Sequence, residues 1–493
     1  MDRQYLESLA KDQLIAIILE QACLIRQLTA QVHALTTQVS SLIAQNQKLS
    51  AGVADLESQL KTNSSNSSIP PSQDGYNKPA PKSLRTKSGR IPGGQYGHKG
   101  SGFTLDRAPD EIIEHKVEVC RNCGTALTDV SCECVQTSNV VDFEVVVKVI
   151  AHKQMSAICP QCGVVNTGEM PQEANHSMVY GSGLRAFVVM LSNFACVSMR
   201  KIGDILRDAF GVSVSTGTIA NMNAGFAKNS ESILYEIKAR VYESPLIHKD
   251  ESGLNNNGKN WWLHISSTPE LTYATAHPKR GREGIDDNGP LADYGGIVVR
   301  DFWAPYSSYK KCRHAMCNAH LLRELNWVID NTDHTWAAKM RTLLCEMKRT
   351  KEEYLEKGKF ELYSCIINKF DTEYAVIIKL GEEESPLDTK SRKQTKARNL
   401  LERFDKHKPE ITRFVHDFNV PFDNNLAERD IRNAKVKQKV SGAFRSDQGI
   451  RNFAKASSII GTANKQKLSV FDTIKQIIAG TRNSIVANTQ IAA

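Results

Sequence analysis

Long apolar runs are scarce in this chain. The run Leu14 to Leu19 is far short of the roughly 20 apolar residues that cross a bilayer. A secretory signal is missing as well, since Asp2 and Glu7 stand in the opening segment where a basic n-region is required. Both absences point to a cytoplasmic protein without a membrane partner. Acidic residues are absent from Tyr76 to Gly100, a stretch with six Lys or Arg. They are outnumbered from Arg429 to Arg451, where seven Lys or Arg face two Asp. The formal net charge is only +9, so the clustering rather than the total suits a polyanion such as nucleic acid. A solvated linker and an ordinary helix face are the competing readings of these two stretches. Disulfides are not expected. The twelve cysteines include two CxxC pairs in a large chain without a signal, which favours metal binding and reduced thiols.

A chain of 493 residues is too long for one core, and the pattern divides into several modules. Residues 1–61 read as a coiled coil. Leu28, Leu35, Leu42, Leu49 and Leu56 occupy d, and Ile25, Val32, Val39, Asn46, Val53 and Leu60 occupy a. Mostly β-branched a positions with leucine at d favour a parallel two-stranded zipper, and a lone Asn46 at a sets register at some cost in stability. The e and g positions (Gln31, Gln38, Thr29, Thr36) carry little charge. A homodimer is therefore expected, with higher assembly on DNA left open. Residues 62–110 are rich in Asn, Ser, Pro and Gly and read as a basic flexible linker.

Residues 111–175 contain two matching knuckles, Cys120-Arg-Asn-Cys123-Gly and Cys159-Pro-Gln-Cys162-Gly, flanking a β-rich stretch from Val140 to Ile150. Four thiolates make a closed tetrahedral zinc site, structural rather than catalytic, so a zinc-ribbon-like module is expected. Cys132 and Cys134 are alternative ligands. Residues 176–240 read as helical and as a helix-turn-helix candidate. Ser198 caps one helix, Gly211 makes a turn and Ser215 or Thr216 caps the next, whose base-reading side chains are Asn221 and Asn223.

Three acids stand in distinctive settings. Asp250 closes the run Pro245-Leu-Ile-His-Lys-Asp, and Asp301 closes Gly296-Ile-Val-Val-Arg-Asp. Each run reads as a buried strand with its Asp at the strand end. Glu428 belongs to Pro421-Phe-Asp-Asn-Asn-Leu-Ala-Glu-Arg-Asp-Ile-Arg432, on a helix starting near Asp423 or Asn424. Trp261–Ser266 and Thr272–Ala276 read as two more strands, which makes a three-stranded meander followed by the strand before Asp301. Carboxylates of this kind suit hard divalent cations. Glu251, Asp423 and Asp430 compete for the same role, and spacing alone does not choose.

The blocks Pro421–Ser446, Asp301–Leu325, Asn63–Ser72 and Gly93–Gly100, taken together, resemble the large transposase of the bacterial insertion-sequence sixty-six family. That resemblance implies a multidomain chain with an RNase-H-like α/β catalytic core over 241–440. A helical insertion would span about 336–408, and a C-terminal helical tail 441–493. It selects Asp250, Asp301 and Glu428 as an Asp-Asp-Glu triad holding two Mg²⁺ ions, which Mn²⁺ can replace. The implied partners are the double-stranded terminal repeats and target DNA, with accessory proteins from the same element. Arg429, Arg432, Lys435, Lys437 and Lys439 are the candidate phosphate contacts. Two further readings stay open at this point: a DNA-binding regulator with a decayed core, and a structure-selective nuclease. Cys312, His314, Cys317 and His320 read either as a second zinc site or, as the resemblance implies for Cys317-Asn-Ala-His320, as support for the active site. His264 and His277 read as ordinary strand or loop residues.

Overall fold

The computed structural model describes residues 8–60, 62–63, 66, 97, 108–142, 146–171, 178–389 and 394–485. Most of the linker expected at 62–110 lies outside the described residues. The chain divides into two compact units, each assembled from separate segments. One gathers Met1–Pro81, Ile297–Ala304 and Arg313–Asn424; the other gathers Lys82–Gly296, Pro305–Cys312 and Asn425–Ala493.

In the first unit, α1 (Lys11–Leu60) is a single helix of 50 residues. Its a and d side chains, from Ile25 through Leu56, stand exposed wherever they are apolar. By length and composition Lys11–Ser50 is apolar enough to cross a membrane, which corrects the expectation that no segment approaches that limit. The apolar residues recur in heptads interleaved with Gln, Thr, Ser and His.

The same unit holds the parallel pair β6 (Ile297–Arg300) and β7 (Arg313–Met316), in register from Ile297 opposite Arg313 to Arg300 opposite Met316. Helices follow: α7 (Asn318–Asn331), α8 (Trp336–Glu356), α9 (Ser364–Glu384) and α10 (Lys396–Lys406), then the short turns α11 (Lys408–Ile411) and α12 (Arg413–His416). Trp336, Phe404 and Tyr374 form their shared core, with the Tyr374 hydroxyl donating to the Phe404 carbonyl at 2.8 Å.

In the second unit the two knuckles precede a run of helices. Among the described residues of the cysteine module, the strands are those of the short hairpin β1 (Ser156–Ile158) and β2 (Val165–Thr167). The β-rich stretch expected from Val140 to Ile150 carries no strand among its described residues, and Val140, Val141, Val146, Val147 and Val149 are exposed. Then come α2 (Ser182–Asn193), α3 (Met199–Phe210), α4 (Thr216–Asn229) and α5 (Glu231–Glu243). The capping chemistry is as the sequence indicated. Ser198 accepts from the Lys201 amide, Gly211 turns left-handed at φ 66°, and Ser215 accepts from the Thr218 amide.

An antiparallel meander follows: β3 (Leu246–Asn256), β4 (Lys259–Ser267) and β5 (Thr272–His277). Leu254, Trp261, Leu263, Ile265, Ala274 and Ala276 alternate onto one face. That face is covered by Ile431 and Ala434 of α13 (Asn425–Ser441) and by Ile450, Phe453 and Ala454 of α14 (Asp447–Lys465). The opposite face receives the short helix α6 (Arg282–Asn288), whose Asn288 donates to the His264 carbonyl. Helix α14 also satisfies backbone groups of β5. Ser458 accepts from the Ala274 amide and Thr462 from the Thr272 amide. That approach requires Gly461, because a Cβ there would lie 2.8 Å from the Thr272 side chain. A last helix, α15 (Val470–Ile478), packs on α2.

Candidate active site

Asp250 lies inside β3, opposite Ile265, and not at a strand end as expected. The apolar run stops at Asp250, but pairing continues to the hairpin turn Asn257–Gly258, whose φ values of 50° and 79° are the left-handed pair an Asn-Gly turn provides. Strand alternation puts Asp250 on the face of Leu254, the face that α13 covers. Glu428 stands in the first turn of α13. Asp250 and Glu428 thus belong to elements packed on one another. Asp301 belongs to the other unit, immediately after β6 as expected. All three carboxylates are half-buried. The Glu251 amide donates to one Asp250 oxygen, and the Trp303 amide to one Asp301 oxygen, each at 2.9 Å, which orients both side chains.

Two of the competing acids, Glu251 and Asp430, are engaged elsewhere. Glu251 faces the opposite side of β3, where Arg280 binds it at 2.9–3.0 Å and the Tyr306 hydroxyl donates to it at 3.0 Å. Asp430 accepts from Ser267 (2.6 Å), Thr272 (2.8 Å) and Lys465 (2.6 Å), which fastens α13 to the meander. Lys249, also on the far face, is fully buried against Asn288 and Tyr242; burial lowers its pKa to about 7, against the pull of Glu251 and Asp286. His264 is likewise buried, and desolvation lowers its pKa to about 4.

Sequence reasoning passed over the group behind Asp301. Arg300 is fully buried; it donates through Nε to His314 Nδ1 at 3.1 Å and through Nη1 to the Asp301 carbonyl at 2.8 Å. The one signal was a charged residue inside an otherwise apolar run. His314 is therefore engaged as an acceptor, and its carbonyl accepts from Arg413. Cys312 donates to the Tyr309 carbonyl, and Cys317 accepts from the Asn424 amide at 3.2 Å. With Asn318 bonded to the Phe422 and Ile411 carbonyls, the start of α7 holds the segment Pro421–Asn424 that leads into α13.

Two candidate phosphate contacts are drawn inward. Lys437 is buried and donates to the carbonyls of Ser192 (2.8 Å) and Val197 (3.2 Å), at the end of α2 and in the turn after it. Lys435 donates to the Gly253 carbonyl at 2.6 Å, and burial lowers the pKa of both amines. Neither ammonium faces outward, because carbonyls of neighbouring elements take it. Arg429, Arg432 and Lys439 stay exposed on α13. Asn223 is likewise lost to base reading, since it is buried and bonded to Asn193, Ser192 and the Ile219 carbonyl; Asn221 is exposed.

The two cysteine knuckles have the same local build. In each, the first cysteine's amide bonds five residues ahead, and a glycine at φ 75° or 70° donates back to that cysteine's carbonyl at 2.9 Å. Thr125 bonds Cys123 and lowers its thiol to about 7, and the backbone of Cys162 lowers Cys159. Thiols poised to ionise suit a metal. No three of the sulfurs of Cys120, Cys123, Cys159 and Cys162 lie within 4.8 Å of one another, so each knuckle presents its own pair.

Residues 177–452 match the family model described as Transposase IS66 family, and residues 15–103 match a Family of unknown function (DUF6444). The uncharacterized protein y4qI of Sinorhizobium fredii is 24% identical over 297 residues, covering 55% of this chain and 54% of that protein. The chain thus spans about half the length of the curated relative it matches.

Proposed function

The chain belongs to the IS66 family of transposases, and from that membership we propose that it cuts DNA at the ends of its element and joins the freed 3′-hydroxyls to target DNA. The observation carrying this reading is placement: Asp250 lies on the face of β3 that α13 covers, and Glu428 stands in the first turn of α13, while Asp301 directly follows β6. Such an oxygen set fits Mg²⁺, with Mn²⁺ able to substitute. Two ions held about 3.5–4 Å apart supply activation of the attacking oxygen and stabilisation of the leaving one. In this assignment Asp250, Asp301 and Glu428 would hold the ions. Arg429, Arg432 and Lys439 hold DNA phosphate by salt-sensitive contacts. The α3–Gly211–α4 unit reads the terminal repeats, with Asn221 the exposed amide of its second helix.

Cys120, Cys123, Cys159 and Cys162 would hold one structural zinc once the two knuckles approach one another. The segment between them buries little apolar surface that would resist the approach. α1 pairs with a second copy through its heptad stripe. The decisive experiment is metal-dependent nicking of a terminal-repeat duplex by the purified chain. Asp301→Asn should reduce nicking to background while leaving repeat binding intact. Nicking by the variant at the wild-type rate would refute the site assignment.

A further inference from the structure

The outer edge of β5 is closed by α14 at two residues and left open at a third. β5 pairs with β4 along one edge only, and strand alternation turns the N–H and C=O groups of Thr272, Ala274 and Ala276 to the other edge. Thr462 accepts from the Thr272 amide at 3.1 Å and donates to its carbonyl at 3.3 Å. Ser458 serves Ala274 in the same way, at 2.9 and 3.4 Å. One turn earlier α14 presents Ala454, whose methyl can do neither. No other described residue bonds that outer pair of Ala276.

Ala276 and Ala454 stand in the wall of a cavity of about 360 Å³ bounded by α5, β5 and α14, within the size range of small-molecule sites. Tyr235 and Tyr273 supply aromatic faces. Tyr235 is 78% exposed on α5, and Lys238, three residues on, lies over the Tyr273 ring at 5.7 Å. Arg451 and Lys455 enter from α14, and Asp287 from the end of α6. Lys455 is taken by Glu231 at 2.9 Å, which leaves Lys238 and Arg451 against Asp287 and a net positive rim.

These features select one kind of occupant. A peptide strand added to the sheet needs a row of edge groups, but α14 takes Thr272 and Ala274, and β5 ends at His277. A single outward N–H and C=O matches the neighbouring donor and acceptor on the edge of one nucleobase. Tyrosine faces stack on such a base, and cations hold its phosphate. Ala274 lies opposite Ile265, which lies opposite Asp250, so this edge is two strands, about 10 Å, from that carboxylate.

We propose that the cavity binds one nucleotide, with its base edge on Ala276, its ring against Tyr235 and its phosphate on Arg451 and Lys238. The occupant is a base extruded from the element's DNA near the bond to be cut, a role that rests on the transposase reading. A free nucleotide carries the same chemistry, and the test separates the two sources.

Fluorescence anisotropy on the full-length protein, with no added magnesium or manganese, compares a duplex carrying one bulged adenine with the same duplex fully paired. The bulged duplex should bind about tenfold tighter. Ala454→Ser supplies a hydroxyl to Ala276 and closes the edge, and Tyr235→Ala removes the stacking face. Each should abolish the preference and leave affinity for the paired duplex unchanged. If the two duplexes bind equally but dAMP binds and Ala454→Ser abolishes that binding, the site stands and its ligand is the free nucleotide. The proposal is overturned if the wild type neither prefers the bulge nor binds dAMP, or if the preference or the dAMP binding survives either variant. The readout is binding without cleavage, so it and the nicking test of Asp301→Asn can each fail alone.

Discussion

Lys249 and Asp250 are adjacent on β3 and meet opposite environments. The strand period sends Asp250 toward α13 and Lys249 into the far side of the meander, where it is fully buried and its pKa falls to about 7. An unfolded lysine titrates near 10.4, so across the window from about 7 to about 10 the unfolded chain holds the extra proton. Stability should therefore rise with pH through that window, and the cost of burying the ammonium is felt in full below it. His264 contributes the same sign lower down, between about 4 and 6.5, and does not overlap. Urea unfolding at about pH 7 and about pH 9.5 checks this: the wild-type midpoint should increase, and Lys249→Met should remove most of the increase. Equal slopes for wild type and variant would mean that Lys249 is not the group responsible.

Helix α13 joins three tasks, and charge alone does not tell them apart. Asp430 fastens it to the meander, Lys437 and Asn433 fasten it to the end of α2, and Arg429, Arg432 and Lys439 face outward. Lys437→Met leaves the Ser192 and Val197 carbonyls unsatisfied and should cost about 1–3 kcal/mol in unfolding free energy. It should leave the salt dependence of DNA binding unchanged. Arg432→Ala should do the reverse, lowering the slope of log affinity against log salt by about 1 with little change in stability. A lost salt slope in Lys437→Met would reassign that lysine to the DNA.

In sequence the two lysines look like a phosphate-binding stripe. What claims them are carbonyls far back in the chain, Gly253 of β3 for Lys435 and Ser192 at the end of α2 for Lys437, which no local pattern encodes. The same limit explains Asn223, whose partners lie on α2. Local chemistry was readable where local forces decide. Ser198, Gly211 and Ser215 marked α3 and α4, and the apolar run before Asp301 marked β6. Asp250 was misjudged as a strand end because the hairpin Asn257–Gly258, and not the end of the apolar run, terminates β3.

At the scale of the whole chain, stability is unevenly distributed, and that has a consequence for metal removal. Residues 178–485 bury extensive apolar surface, from Ala186 and Val188 through Ile477 and Ile485. The cysteine module buries almost none: Ile112, Val119, Val140, Val149 and Val165 are all more than half exposed. A module of this kind is held by its metal when it is held at all, because ligand binding supplies the free energy that an apolar core otherwise would. Zinc removal should therefore act on one part of the molecule. The purified protein should carry one zinc per chain, and a zinc-selective chelator should strip it. Trypsin should then cut within 111–175, while 178–485 survives at the rate seen before chelation. Cys159→Ser should reproduce that cleavage pattern without chelator. A protein with no zinc as purified, or a module equally resistant before and after chelation, would show that the knuckles are braced by something other than a shared ion.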